Sequence, residues 1–354
     1  MKALIVGAGI GGLATALALH RQGWQVAVRE RSAALPEHGT ALLVWPKALQ
    51  VYRRLGLVEE LMAAGQTVGD SRILLPGGEL LLRTSAARNL QLIARPRLLR
   101  LLASALPERC LSFDAPLTEA AELSGYDLAV GADGVNSSVR RIKWPEPHRT
   151  PSPIGRLVWR GAVAAERFDS SETWGPGSLF GITPREAGLT IWFACIALPQ
   201  SRIDALLSDS TPEQRRALLA ENFGHWHRGV QRVLDAGRDR EFLFHQLEVL
   251  APLGSFVNGR TALIGDAAHV MAPFLGRGAC EAILDGEALA RSLAAAGSLD
   301  EGLRQYDRSR RRAAQNVARA SSAMGRIAMA RHGLPLRNAA LRSASALTRR
   351  RSRS

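Results

Sequence analysis

The chain has few of the residues that build covalent or metal-held scaffolds. Its three cysteines, Cys110, Cys195 and Cys280, show no regular spacing and no close pair. A disulfide-framed module, a zinc knuckle and a redox C-x-x-C are therefore excluded, and a reducing cytoplasm is the expected location. Neither H-E-x-x-H nor G-x-S-x-G occurs, so no metal and no nucleophilic triad are expected. His225 and His227 flank Trp226 but lack a third ligand. Tyrosine is scarce: with only Tyr52, Tyr126 and Tyr306, no phenolic acid is assigned. No window holds the roughly 18 uninterrupted apolar residues of a membrane span. Met1-Lys2 runs straight into Ala3–Val6 and glycine, a pattern that does not fit a secretory leader.

What is present fits a large packed fold. A chain of 354 residues, 46% hydrophobic and 22% charged, can bury a sizeable core as one big domain or two intimate ones. The net charge of +14 points to nucleic acid until it is located along the chain. Residues 304–354 hold fourteen arginines against one acid, Asp307, and residues 1–303 carry only +1. No helix-turn-helix spacing and no aromatic RNA-binding signature accompanies them, so no nucleic-acid partner is expected. The run is read as a solvated basic helix with a frayed Arg349-Arg350-Arg351 tail; a protein partner for it stays open.

Lys2–Val6, Ile10–Arg21 and Gln25–Glu30 read as strand, helix and strand, the size of a βαβ unit. Helices are expected over Pro46–Arg54 and Arg97–Ala105, and a buried strand over Tyr126–Val130. From 151 the pattern shifts to strands of a mainly antiparallel sheet, Leu157–Ala164, Ser178–Ile182 and Leu189–Leu198, with a helix near Pro212–Asn222. Thr261–Ile264 is a further strand, a long helix follows the glycines at 276–278, and the chain from Ser298 is mostly helical.

Gly7-Ala8-Gly9-Ile10-Gly11-Gly12 is a G-x-G-x-x-G sequence with a strand before it and a helix after it, the context that gives the motif meaning. Gly7 permits the tight turn, Gly9 lets the backbone approach a diphosphate, and Gly12 lets helix and sheet pack closely. The helix N-terminus offers free N–H groups and partial positive charge. Glu30 ends the second strand, where a carboxylate accepts both hydroxyls of an adenosine ribose and disfavours a 2′-phosphate. The nucleotide here is FAD or NAD. Two more strands empty into aspartate turns: Asp127–Val130 into Gly131-Ala132-Asp133-Gly134, and Thr261–Ile264 into Gly265-Asp266-Ala267-Ala268-His269, followed by Pro273, Gly276, Gly278 and an apolar helix with Asp285.

This combination resembles the FAD-dependent class A flavoprotein monooxygenases, the aromatic hydroxylase family of the salicylate, hydroxybenzoate and urate hydroxylases. The likeness runs from Met1 to about Gly325 and includes Gly39–Leu57 and Arg95-Pro96-Arg97-Leu98. It implies an α/β fold: a Rossmann-like FAD-binding part (1–150), an interleaved, mainly antiparallel β-sheet layer for substrate (151–255), a return to the FAD domain (256–297) and C-terminal helices (298–354). It also implies that Gly7, Gly9, Ile10, Gly11, Gly12, Glu30 and Arg31 hold the adenosine diphosphate, with Arg95 near the ribityl and diphosphate. Asp133 and Gly134 would lie close to the diphosphate and the nicotinamide approach. Gly265 and Asp266 would take the ribityl chain, while Pro273, Gly276, Arg277, Gly278 and Ala279 lie against the isoalloxazine ring. Arg277 stands where the family has glutamine, and Leu284 where an acid often precedes Asp285. Such an arginine either stabilises a flavin or substrate anion or points to solvent. The stretch from Cys110 to Tyr126 is also shorter than the family's strand pair.

The chemistry so implied is reduction of FAD by NADH or NADPH, addition of molecular oxygen at the flavin C4a, and delivery of one oxygen atom from the hydroperoxide to an aromatic or enolic substrate. Arg160 is a candidate for a substrate carboxylate, and Trp192 and Phe180 are candidates for its ring, against the alternative of plain sheet packing. His269 is read as a structural residue. Two other functions remain open: a flavin-dependent dehydrogenase or reductase on the same scaffold, and a flavin-bearing binding protein silenced at Arg277 and Leu284.

Overall fold

A computed structural model describes residues 1–37, 39–85, 90–145, 148, 150–164, 168–185 and 188–351, with side chains to Ser343 in the last helix. The chain divides into two compact units, one of Met1–Gln66, Asn89–Ser152 and Glu248–Ser322, the other of Thr67–Arg88, Pro153–Leu247 and Ala323–Ser354.

The first unit opens with β1 (Lys2–Val6), α1 (Ile10–Arg21) and β2 (Gln25–Arg29), the crossover read from sequence. Next come β3 (Ala41–Val44), α2 (Pro46–Arg54), α3 (Val58–Ala64) and β4 (Gln66–Thr67). Here the chain enters the second unit for β5 (Ser71–Leu74) and β6 (Leu80–Thr84), then returns through β7 (Gln91–Ala94), α4 (Arg95–Ser104), β8 (Leu111–Ser112), β9 (Leu128–Gly131) and α5 (Ser138–Lys143). The second unit resumes with β10 (Ser152–Ala164), β11 (Ser171–Gly175), β12 (Ser178–Pro184), β13 (Leu189–Ala197), α6 (Gln200–Asp209), α7 (Pro212–Phe223), α8 (Arg228–Ala236) and β14 (Phe242–Val249). The chain ends with β15 (Val257–Asn258), β16 (Thr261–Leu263), α9 (Asp266–His269), α10 (Gly278–Ala295), α11 (Leu299–Ala328) and α12 (Leu334–Arg351).

A six-stranded sheet, ordered β15-β16-β9-β1-β2-β8, forms the middle of the first unit. β1 pairs parallel with both β2 and β9, and β16 parallel with β9. Ala3 to Val6 are buried without alternation, as expected of a strand covered on both faces. α1 is buried from Ile10 to Leu19, so it is apolar all round and packs against α10 as well as the sheet. The carboxyl ends of β1, β9 and β16 therefore lie side by side, and each runs into one of the three glycine-bearing turns. The short Cys110–Tyr126 stretch supplies only the two-residue edge strand β8, and β3, β7 and β4 form a separate three-stranded sheet.

The second unit is a seven-stranded sheet, β14-β10-β13-β12-β11-β5-β6, antiparallel from β10 through β13 and β12 to β11 and between β5 and β6, and parallel between β11 and β5. One face carries Leu157, Trp159, Val163, Phe180, Ile182, Trp192, Ala194 and Ile196, packed on Ile203, Leu219, Phe223 and Val230 of α6, α7 and α8.

The structure alters the expected organisation in two places. β5 and β6 belong to the second sheet although they lie inside the stretch assigned to the FAD domain. The first part of α11 belongs to the first unit's core rather than to a solvated tail: buried Tyr306 donates its hydroxyl to Leu263 O at 2.6 Å, and Asp307 accepts from Phe256 N–H at 2.6 Å. α12 remains helical through Arg351, where fraying from Arg349 was expected; residues 352–354 lie outside the described residues.

Candidate functional site

The three turns converge. Gly7 leaves β1 at φ +107°, and a Cβ there would sit 2.5 Å from Ala132 O and 2.9 Å from Asp133 Cα, so the first loop rests on the second. α1 begins at Ile10 behind Gly9 with no capping side chain and no acid in its first turn. Its N–H groups and the positive end of its dipole are left for an external anion. Glu30 is seated at this loop: one carboxylate oxygen accepts from Ala8 N–H at 2.8 Å, the other from Ser32 N–H at 3.0 Å. Arg31 beside it is exposed.

At the second turn the aspartate is tied to its own loop. Asp133 accepts from Ser137 Oγ at 2.5 Å and from the N–H groups of Ser138 and Val139 at 2.6 and 3.1 Å. Ser137 in turn caps α5 by accepting from Arg140 N–H at 3.0 Å. Asp133 therefore fixes the Gly134 turn and the start of α5, and its oxygens are engaged locally. Arg140, overlooked as a site residue in the sequence, is fully buried. Its guanidinium donates to the carbonyls of Val135 at 2.5 Å, Ala267 at 2.9 Å and Asp266 at 3.3 Å, tying the second turn to the third.

At the third turn Gly265 adopts φ +56°, ψ −140°, a region closed to side chains. Asp266 follows with its side chain open to solvent but ringed by protein. That enclosure raises its carboxyl above the ordinary range, opposed in part by the charges of His269, Arg95 and Arg140. Arg95, at the start of α4, is thus electrostatically within reach of Asp266. Pro273–Leu275 form a single 3-10 turn ended by Gly276 in the left-handed region, and α10 starts at Gly278. A Cβ on Gly278 would lie 4.0 Å from Asp266 Oδ1. Gly11 and Gly265 both approach Ala282, which brings the amino-terminal ends of α1 and α10 to one place. Ala279 packs against the core.

Arg277 neither points to solvent nor stands as a free charge. It donates to Glu281 at 2.6 Å, and its guanidinium carbon lies 5.3 Å from the centroid of the Trp45 ring. Glu281, 2% exposed, also accepts from Arg310 at 2.7 Å; Arg310 donates at 2.7 Å to Asp285, which is 0% exposed. Asp285 further accepts from Gly265 N–H at 2.9 Å and pairs with His269 Nε2 at 2.6 Å. Burial pushes Asp285 upward, but the charges of His269 and Arg310 and the hydrogen bonds hold it below the ordinary range. Burial likewise opposes charge on His269, and the neighbouring Asp285 outweighs it, so the imidazole is raised. Sequence reading classed Arg310 with the basic tail and missed this chain of alternating charge. The local signal was a pair of acids one turn apart, Glu281 and Asp285, among the small and apolar residues that open α10.

On the substrate-side sheet the candidates separate. Phe180 and Trp192 stack at 5.7 Å with their planes 5° apart inside the sheet–helix layer, and Phe180 also meets Phe223 at 5.4 Å. They are core residues, a correction to their assignment as substrate contacts; period-two alternation turns both toward α6–α8. Arg160 lies on the opposite face with Cys195, half-buried. Burial lowers it from the usual arginine range, Cys195 partly opposing. His245, on the neighbouring strand β14, is pulled down to about 4 by burial and then by the charge of Arg160, so it is neutral at pH 7. His227 caps α8, accepting from Gly229 N–H at 3.1 Å. The three cysteines are buried free thiols.

The FAD binding domain model matches residues 1–120 and 252–321. These segments contain the first and third of the convergent turns; the second, at 131–134, lies between them. The chain belongs to the FAD-dependent aromatic monooxygenases. Among members of this family, the aurachin C monooxygenase/isomerase of Stigmatella aurantiaca is 32% identical over 92% of this chain and 89% of its own length. The FAD-dependent urate hydroxylase of Klebsiella pneumoniae is 28% identical over 88% of this chain and 86% of its own. The fold matches that of Klebsiella pneumoniae HpxO complexed with FAD and uric acid, with a TM-score of 0.83 and 24% identity over 97% of this chain and 93% of that one. A salicylate hydroxylase substrate complex matches with a TM-score of 0.79 and 22% identity, covering 97% of this chain and 92% of that one. Among the described residues no helix is long and apolar enough to cross a membrane.

Proposed function

We propose that this monooxygenase takes electrons from NADH or NADPH and hydroxylates a small aromatic or enolic compound bearing an anionic oxygen, which Arg160 binds. The observation that carries the anionic preference is Arg160 itself. It is half-buried, with no hydrogen-bond or ion-pair partner among the described residues, beside a neutral imidazole. A desolvated guanidinium of this kind is stabilised when a ligand oxygen supplies the missing charge. The urate and 6-hydroxynicotinate enzymes among the relatives act on small nitrogen heteroaromatics with acidic oxygens, which fits that reading.

The residues present fit FAD. An uncapped helix terminus, a glycine loop with room at Gly9, a ribose-reaching carboxylate at Glu30 and a solvent-open carboxylate at Asp266 form one continuous strip. FAD, when bound, supplies hydride acceptance from the nicotinamide and transfer of one oxygen atom from O₂ to the substrate. In this assignment Glu30 takes the adenosine ribose hydroxyls and the α1 terminus with Gly9–Gly12 takes the diphosphate. Asp266, with Arg95 nearby, orients the ribityl chain. Pro273 and the backbone from Leu275 to Gly278 flank the isoalloxazine. The positive end of α10 would then face the ring and favour the negative charge that a bound flavin gains when reduced. Arg277 acts by holding Trp45 and Glu281 in place. Asp133 and Arg140 keep the turns in register.

The test combines flavin and substrate readouts. The purified protein is expected to be yellow with an oxidised-flavin spectrum and to consume NAD(P)H, O₂ and substrate one for one, a ratio that a dehydrogenase would not give. Arg160→Gln is expected to keep the flavin and raise KM for anionic aromatics about 10- to 100-fold, the worth of a hydrogen bond to a charged group. Equal effects on neutral and anionic substrates would remove Arg160 from the reading; a colourless protein that refuses flavin would remove the reading itself.

A further inference from the structure

The substrate-side sheet holds an enclosed carboxyl that neither the assigned flavin contacts nor the Arg160 anchor uses. Glu172, half-buried on β11, accepts a hydrogen bond from the Trp174 indole N–H at 3.0 Å, and its other oxygen has no partner among the described residues. No cation pairs with it there: Arg337, which lies over the Trp174 ring, donates to Asn338 and Ala328. Burial raises the carboxyl above the ordinary range, the indole bond partly opposing. A carboxyl so enclosed, with one oxygen unmet, is stabilised by a further donor. The strand register shows what faces it. Arg160 on β10 lies opposite Phe193 on β13, Phe193 opposite Gly181 on β12, and Gly181 opposite Glu172 on β11. Residues directly opposite one another share a face, so the four form one row across the sheet. That face is the one turned away from α6–α8.

We infer that Glu172 is a second substrate-recognition residue, accepting a hydrogen bond from an N–H on the edge of the substrate remote from the oxygen held at Arg160. The inference rests on Arg160 as the anion anchor and adds the group at the far end. Between the two stands Phe193. A Cβ on Gly181 would lie 2.1 Å from Phe193 Cε1 and 2.6 Å from Cζ, so the ring leans from β13 onto β12 and fills the place of a side chain at 181. Phe193 is half-buried, and the open part of its ring is an apolar surface between a cation and a carboxyl. Arg160 and Glu172 are three strands apart, about 14 Å between α carbons at the usual strand spacing. Neither figures among the charges that act on the other. Too distant to neutralise each other, they are bridged by a ligand lying across the Phe193 ring: a two-ring heteroaromatic with an acidic oxygen on one edge and an N–H on the opposite one. A single ring leaves one of the two groups unmet.

The experiment is calorimetric titration of the flavin-loaded full chain with 4-hydroxyquinolin-2-one and with its N-methyl derivative, which keeps the acidic oxygen and lacks the N–H. The wild-type protein is expected to bind the N–H compound about tenfold more tightly, the worth of a hydrogen bond to a charged group. Glu172→Leu is expected to bring the ratio of the two affinities to about one by weakening the N–H compound alone. Glu172→Gln, which keeps an acceptor without the charge, is expected to give an intermediate ratio, and it decides alone if the leucine variant is unstable. Arg160→Gln should weaken both compounds alike, because both carry the oxygen. Flavin absorbance and melting temperature check the fold of each variant. A merely structural Glu172 would change both affinities together and leave their ratio. A preference for the N–H compound that persists unchanged in the Glu172 variants, or no preference in the wild type, would overturn the role of Glu172 while Arg160 stands on its own variant. Arg160→Gln without effect on either compound would overturn the anchor and with it the two-point arrangement, and failure of the wild type to bind either compound would overturn the two-ring span.

Discussion

Gly12→Ala is expected to cost the protein its flavin and a large part of its stability, whereas Gly9→Ala, three residues earlier, is expected to cost only the flavin. Gly12 sits inside α1, and by propensity alone alanine there would favour the helix by about 1 kcal/mol. Against that, the new Cβ would lie 2.0 Å from Gly7 O and 3.2 Å from Ala132 Cβ. The first of these is backbone, so it has no rotamer to change, and relief requires α1 to withdraw from β1. Overpacking on this scale costs about 3 kcal/mol. At Gly9 the nearest protein atom to a new Cβ is Ala132 O at 3.9 Å, an ordinary contact. In the assignment proposed above, that space is taken by the diphosphate. The expected result is therefore a Gly9→Ala apoprotein that melts with the wild type but binds FAD at least tenfold more weakly, beside a Gly12→Ala protein lowered in both measures. Unchanged FAD affinity in Gly9→Ala would show that the loop does not carry the diphosphate.

The contrast also marks what the sequence could reveal. The βαβ unit was legible because its determinants are local: an apolar run, three glycines and an acid within about thirty residues, each with a conformational reason to be there. The convergence of Asp133 and Asp266 on that unit was readable because both turns end strands, and parallel strands in one sheet present their carboxyl ends together. β5 and β6 were not assigned to the second sheet because nothing in residues 71–84 says which sheet will accept them. Phe180 and Trp192 were misplaced for a related reason. Alternation shows that they share a face with Trp159 and leave Arg160 on the other, but does not say which face α6–α8 will cover. Arg310 was hidden by its neighbours: among Arg308, Arg311 and Arg312 it looks like surface charge, and only the packing of α11 on α10 shows that it is the one turned inward onto Glu281 and Asp285.

That inward turn sets the second large effect. Asp285→Asn keeps the shape of the side chain and one acceptor for Gly265 N–H, but removes the charge shared by Arg310 and His269. Breaking a buried pair by removing one partner costs about 3 to 5 kcal/mol. Arg310 retains Glu281, so a loss of about 3 kcal/mol is expected in urea unfolding. Arg310→Met alone should also destabilise, and the double variant should lose less than the sum of the two, because the second change removes a charge already stranded by the first. Additive losses would mean that the network is not coupled. The pH dependence follows from the two titrating members. Asp285 is lowered from its reference of 3.8, so its contribution is present above that value and is lost as pH falls through the depressed one. His269 is raised from 6.5, so its contribution is complete below that value and is lost as pH rises through the elevated one. The stability gap between wild type and Asp285→Asn should therefore be widest between about pH 4 and 6.5 and narrow on both sides. Because Asp285 also holds Gly265 N–H, the residue that turns the chain toward Asp266, the same variant should release FAD more readily where the gap is widest. A stability loss with FAD affinity unchanged across that range would confine the network to holding the fold.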